Sequence, residues 1–454
     1  MASAFEEVGD IASARRLMEE EVAGLTRHLG AWNPTTLTAT HNLANVLRTQ
    51  GEITAARRLY REVIDGYNAD PDSEPTSVLG TKACLANLLR DTEDASVDEL
   101  AEARALYTEV IAGETELLGA YHIDTLASKG GLAGLLEDTG EEESTRKLYE
   151  EVLDGETAQL GWSHLTTLYT LHNLASLLED LSELSRARDL YREALQGREA
   201  KLGSLNEETI ATMRGLASVL HDLEESHDEN RELYEKVLAV EMATLGATHE
   251  DTVATKANLG KLLLFEMSEF KEARLLFEEV VATRVATLGA LSEDTLDSKG
   301  CLAKAFKATG ELVQSRAMYE DAVDGYTQRF GAHHTDTLDD MYGFAGLLVQ
   351  MASDSDVRRA QEIYGEVADG CTIAYGANHE ETIDARLRAT GYDPSDDSES
   401  GGSSEDGSQE HVDRSEKLVQ QMVAMGMDRE LSARAAAATG SSSMDAAVAW
   451  YYSQ

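Results

Sequence analysis

A histidine, an aspartate and a threonine stand within four positions at "HIDT", residues 122–125. The phrase returns as "HLTT" at 164, "HEDT" at 249, "HTDT" at 334 and "HEET" at 379. Histidine beside a carboxylate suits metal ligation or general acid–base work. The spacing argues against both. The copies lie one repeat apart, and adjacent helical layers pack on the order of 10 Å apart, so His122, His164, His249, His334 and His379 cannot share one ion. A structural role fits better. Thr125, Thr167, Thr252 and Thr295 fall where a helix starts and a hydroxyl can accept from free backbone N–H groups. Asp124, Asp251, Asp294 and Asp336 complement the positive end of the helix dipole. The expectation is a capping loop, with no metal, cofactor or catalytic residue. Cys84, Cys301 and Cys371 are too scattered for a disulfide framework or zinc motif. No phosphate-cradling loop, HExxH or GxSxG accompanies them, so a non-enzyme is expected.

The elements that carry these residues recur. The pairs Leu59-Tyr60, Leu106-Tyr107, Leu148-Tyr149, Leu190-Tyr191, Leu233-Tyr234, Leu276-Phe277, Met318-Tyr319 and Ile363-Tyr364 are spaced by 47, 42, 42, 43, 43, 42 and 45 residues. A second register, from Leu43-Ala44 to Phe344-Ala345, keeps step with them. Each unit reads as two amphipathic helices. The small residue after each Leu (Ala44, Ala133, Ala175, Gly260) lets the two helices approach, and Gly161 suits a left-handed C-cap. Lys82, Lys129, Lys256 and Lys299, three before the Leu, are expected to bury their stems and reach nearby acids.

The chain has 454 residues, 39 Lys+Arg against 84 Asp+Glu, and a formal net charge of -45. So acidic a surface repels nucleic acid and anionic membrane. No window approaches 18 uninterrupted apolar residues, and the N-terminus has acids where a secretory signal has an apolar run. A cytoplasmic location is expected. Four prolines and long Ala/Leu/Glu-rich stretches predict an all-α protein.

The pattern "LG-x-x-H-x-D-T-L…N-L-A-x-L-L…A-x-x-L-Y-x-E" resembles the tetratricopeptide repeat family, in its kinesin-light-chain-type subgroup of 42-residue spacing. The resemblance implies a right-handed superhelix of about eight full hairpins over residues 1–391, preceded by a partial repeat whose first helix survives at residues 5–8. No heptad-repeat segment stands before the repeats, so a motor heavy chain is not an expected partner. The first helices are expected to line a groove, at positions two before the Leu and two and five after it. These are His41, Asn45 and Arg48, then Asn87 and Arg90, and further on Lys261, Lys304 and Lys307. Gly130, Gly134, His172, Ser176, Glu179 and His221 lie between them. Such cations in an acidic chain suit a peptide with acidic side chains or a free C-terminal carboxylate. The alternative is that they are solvated residues paired with nearby acids.

Periodicity stops near Gly391. Residues 393–413 hold eight acids and no Lys or Arg, too little apolar surface to fold, and a linker is expected over 392–413. Residues 414–454 balance four acids with four bases and read as three short helices. "LVQQMVAMGM" and "AAVAWYY" resemble the ubiquitin-associated (UBA) domain, a small three-helix bundle. The resemblance implies that Met425, Gly426 and Met427, with Tyr451 and Tyr452, contact ubiquitin. The expected function is a protein–protein adaptor holding a peptide or client in the groove and ubiquitin or ubiquitylated proteins at its C-terminus. The alternative is a kinesin-light-chain-like cargo or scaffold adaptor without ubiquitin binding.

Overall fold

The computed structural model describes residues 11–70, 74–92, 95–377, 379–391 and Ser432. Among these residues there are eighteen α-helices, one π-helical turn and no strand. The chain divides at Glu225 and Ser226 into two units.

The first unit holds α1 (Ile11–Leu29), α2 (Pro34–Thr49), α3 (Ile53–Ala69), α4 (Pro75–Arg90), α5 (Val97–Leu117), α6 (Ile123–Asp138), α7 (Glu142–Leu160), α8 (Leu165–Asp180), α9 (Leu184–Leu202) and α10 (Glu207–Asp222). Each helix packs chiefly on its sequence neighbours, as expected of a repeat array. The core runs between paired helices: Leu43, Ala44, Tyr60, Leu85, Ala86 and Tyr107 are all buried in one cluster. Each buried leucine contributes roughly 1.5–3 kcal/mol, against the entropy of ordering the hairpin.

The second unit holds α11 (His227–Thr244), α12 (Glu250–Lys261), the π-turn Leu262–Glu266, α13 (Phe270–Thr287), α14 (Glu293–Ala308), α15 (Leu312–Phe330), α16 (Thr335–Met351), α17 (Asp354–Ala374) and α18 (Glu380–Ala389). The small residue after the Leu does what its size suggests, since a Cβ on Gly260 would lie 2.9 Å from the Phe277 ring. The last helix, α18, opens a further repeat that has no second helix among the described residues, and it buries Ala385 and Leu387 against its neighbours.

The capping loops correct the sequence reading in two particulars. Nδ1 of His122, His164 and His249 is the acceptor, taking the backbone N–H two residues on at 3.3 Å in each case. The threonine points the other way. Thr125, Thr167, Thr337 and Thr382 donate to the carbonyls of Gly119, Gly161, Gly331 and Gly376 at 2.9–3.1 Å, tying each helix start to the end of the helix before it. The imidazole at the N-cap reaches the free N–H groups, whereas the threonine, three residues further in, faces the preceding turn. Gly161 adopts φ 87° and ψ 155°, outside the left-handed helical region that was expected and in one that only glycine occupies freely.

The Lys column behaves as read. Lys82, Lys129, Lys256 and Lys299 reach Glu109, Glu151, Glu279 and Asp321 on the following helix at 2.5–2.8 Å. Lys129 and Lys299 also donate to the carbonyls of Ala120 and Ala290.

Candidate functional site

The lane along the first helices of the hairpins is the natural candidate. In the first unit, His41 is half-buried, with Nδ1 3.1 Å from Thr81 Oγ1 and its ring edge-on to Tyr60 at 5.7 Å. Burial lowers its pKa. Asn45 accepts from the Tyr60 hydroxyl at 2.5 Å, and Asn87 from that of Tyr107. One repeat on, the tyrosines bond lane carboxylates instead: Tyr149 donates to Glu137 at 2.8 Å and Tyr191 to Glu179 at 3.0 Å. Tyr60, Tyr107, Tyr149 and Tyr191 thus each cross their hairpin and fix a lane residue from below. Burial raises the pKa of all four phenols, so they stay protonated and remain donors.

Arg48 is exposed. Arg90 is half-buried and largely spent: Nε and Nη2 donate to Asp91 at 2.9 and 2.7 Å, and Nη1 to the Gly131 carbonyl at 3.2 Å. Asn87 and Arg90 nevertheless stand in the wall of a cavity of about 790 Å³ between α4, α6 and α8. Gly130, Gly131 and Gly134 of α6 line it; Gly130 leaves the floor bare, while a Cβ on Gly131 would lie 2.7 Å from the Tyr107 ring. A Cβ on Gly130 would meet nothing within 4 Å. Tyr169 and Asn173 of α8 form the opposite wall.

In the second unit, the three lane lysines differ. Lys261 pairs with Asp297 at 2.9 Å and Lys304 with Asp339 at 2.8 Å. The acids come from the next first helix, so these two fit the solvated-pair alternative. Lys304 also lies 5.8 Å from the centre of the Phe265 ring. Lys304 and Lys307 share a cavity of about 440 Å³. A separate cavity of about 610 Å³ gathers Asp336, Asp339, Glu380, Glu381 and Asp384 around His379.

Charges at the repeat junctions, buried at Glu114, Glu156 and Arg198 and half-buried at Arg284, escaped the sequence reading. Glu114, Glu156, Arg198 and Arg284 each stand seven residues after the Leu-Tyr aromatic and meet a hydroxyl of the next helix. Glu156 accepts from Thr170 at 2.7 Å, while Arg198 and Arg284 donate to Thr212 and Ser298 at 2.7 Å. Glu156 is 2 % exposed, and burial raises its pKa. On an amphipathic helix such residues look solvated; the fixed seven-residue offset was the available signal.

The cysteines are inert by environment. Cys301 and Cys371 are buried and Cys84 half-buried, and burial pushes the Cys301 thiol up to about 12. Among the described residues no group of three or more His, Cys, Asp or Glu side chains is placed to hold a metal ion. No described helix is long and apolar enough to cross a membrane. The linker at 392–413 and Met425, Gly426, Met427, Tyr451 and Tyr452 lie outside the described residues.

Comparison with known families gives tetratricopeptide repeat matches at residues 208–284 and at 36–69, 167–206 and 295–336. A UBA-like domain matches residues 415–453. No curated protein sequence matches the chain. Among solved structures, the apo form of RapI is 11% identical, covering 78% of this chain and 98% of its own, with a TM-score of 0.51. A Podosopora anserina protein, described as a kinesin light chain with nearly identical TPR-like repeats, is 23% identical. It covers 46% of this chain and 97% of its own at a TM-score of 0.41. NprR from B. thuringiensis is 13% identical, covering 78% and 97%, with a TM-score of 0.46.

Proposed function

From a chain that carries tetratricopeptide repeats and a UBA-like domain at 415–453, we infer a non-enzymatic protein–protein adaptor acting in the cytoplasm. The repeats of residues 1–391 hold a peptide or client in the lane of first helices. A linker at 392–413 tethers the domain at 414–454, which engages ubiquitin or ubiquitylated proteins through Met425, Gly426 and Met427, with Tyr451 and Tyr452. His41, Asn45, Arg48, Asn87, Arg90, Lys261, Lys304 and Lys307 mark the lane.

The observation that carries this reading is the cavity of about 790 Å³ at Asn87 and Arg90 on the same chain as the UBA-like match. A cavity of that size holds several side chains of an extended peptide. Two modest sites on one tethered chain gain avidity when both reach the same assembly. Net charge of -45 makes nucleic acid and anionic membrane poor partners.

The test is calorimetric titration of the full chain with monoubiquitin, beside a Met425→Ala/Gly426→Ala double variant. Saturable binding that the double variant loses supports the adaptor reading. No binding by the wild-type chain removes ubiquitin and leaves a cargo or scaffold adaptor of kinesin-light-chain type.

A further inference from the structure

Lys307 is the lane cation that stands out. It follows Lys304 by one turn of α14, yet among the described residues it pairs with no carboxylate, in a chain with 84 acids. Its ammonium is half-buried against Gly346, where a Cβ would lie 2.9 Å from Nζ. Burial, then Arg388 and Lys304, push its pKa down. A partly buried charge held without a counter-ion costs free energy, which an entering anion offsets.

The surroundings shape that anion's neighbour. The cavity of about 440 Å³ is walled by Leu264, Phe265, Phe270, Lys304 and Lys307. Phe265 is 50% exposed and is carried there by the π-turn Leu262–Glu266. That turn absorbs one extra residue: 18 positions separate Leu259 from Phe277, against 17 between Leu302 and Tyr319. π-turns of this kind often mark functional positions.

We propose that this pocket receives one carboxylate side chain of a partner peptide, held by Lys307, with the adjoining apolar part of the peptide on Phe265 and Leu264. The inference rests on the reading of the repeat lane as a peptide site. The charge count selects a monoanion. Lys304 is already balanced by Asp339, so Lys307 alone offers an unmatched charge. A phosphate dianion would leave the pocket negative, and no arginine fork lines it.

The experiment pans a phage-displayed random dodecapeptide library on the full chain, in wild-type, Lys307→Gln and Lys147→Gln forms. Lys147 is an exposed lysine paired with Glu143 on α7, and serves as the charge-matched control. Melting curves check that each variant is folded. The expected result is a wild-type selection with Asp or Glu fixed at one position, kept by Lys147→Gln. Lys307→Gln still captures peptides but without that acidic position. A synthetic selected peptide should bind Lys307→Gln roughly tenfold or more weakly, the scale of one charge-assisted hydrogen bond. Wild-type peptides with no acidic position, or an acidic position that survives Lys307→Gln, overturn the proposal and leave the lane reading standing. Failure to select any peptide removes both. Tighter binding when phosphoserine replaces the selected acid overturns the monoanion assignment.

Discussion

The guanidinium of Arg198, 2 % exposed, donates to Thr212 Oγ1 and to the Glu208 carbonyl, both at 2.7 Å, across the junction of α9 and α10. Burial pulls its pKa down, and Glu208 at 3.8 Å counters that. The arrangement fixes how the two helices stack, because a sliding of either strands a buried charge.

Arg198→Ala should therefore destabilise this junction by about 2–4 kcal/mol, the cost of orphaning a buried polar pair. Arg198→Met, which refills the volume, should cost clearly less. Hydrogen exchange of α9 and α10 amides is the appropriate measurement, since an array of repeats need not unfold in one step. Equal effects of the two variants would show that packing, not the hydrogen bonds, holds the junction.

At the N-cap of α8, His164→Asn should be near neutral. Asn33 and Asn206 already cap α2 and α10 with a side-chain oxygen accepting from the second residue on. His164→Ala should lose about 1 kcal/mol. Chemical denaturation of both variants separates a capping imidazole from one that matters for binding.

Two glycines predict opposite signs. Gly161→Ala places a side chain at φ 87° and ψ 155° and should cost about 1–3 kcal/mol. Gly130→Ala adds a methyl in open space on a helix and should gain roughly 0.5–1 kcal/mol. Gly130→Trp fills the cavity instead, so peptide capture by the first unit should fall while its melting temperature holds.

Stability should respond to pH from the buried Asp340 and the half-buried His172. Asp340, lying over Gly300, is pushed up to about 7, first by burial and then by Asp339, Asp297 and Asp336, with Lys304 acting against them. Its folded-state value exceeds the ordinary one, so the stability it gives is present at low pH and lost as pH rises from about 4 through 7. His172 goes the other way. Burial and then Arg198 lower it to about 4, so its contribution is present above about 6.5 and lost as pH falls toward 4. Asp340→Ser, which installs the hydroxyl that Thr170, Thr212 and Ser298 supply elsewhere, should raise the melting temperature of the second unit at pH 8 and not at pH 4. An unchanged difference between the two pH values would mean that Asp340 does not titrate in that window.

Much of the fold was legible because a 42-residue period with paired apolar faces admits few other solutions. The capping phrase was legible as punctuation, but its atoms were not, since type and order cannot say which of His164 and Thr167 faces the free N–H groups. The 43-residue spacing between Leu233-Tyr234 and Leu276-Phe277 announced an insertion without saying whether a loop or the turn Leu262–Glu266 absorbs it. Lane residues were readable as types and unreadable as free or spent. The acids that occupy Lys261 and Lys304 are Asp297 and Asp339, 36 and 35 positions away, and no local pattern links them.

The hydroxyl that Thr170, Thr212 and Ser298 bring to their junctions has a further consequence. Thr170 donates to a carboxylate and Thr212 accepts from a guanidinium, so one side chain serves a neighbour of either sign. A repeat ending in Glu156 or Arg198 meets a complementary hydroxyl before α8, α10 or α14, whereas before α16 it would meet the carboxylate of Asp340. Among the hydroxyl-bearing junctions, duplication, loss or transposition of a whole repeat then leaves the junction satisfied, and that part of the array can change length by recombination without a compensating substitution next door.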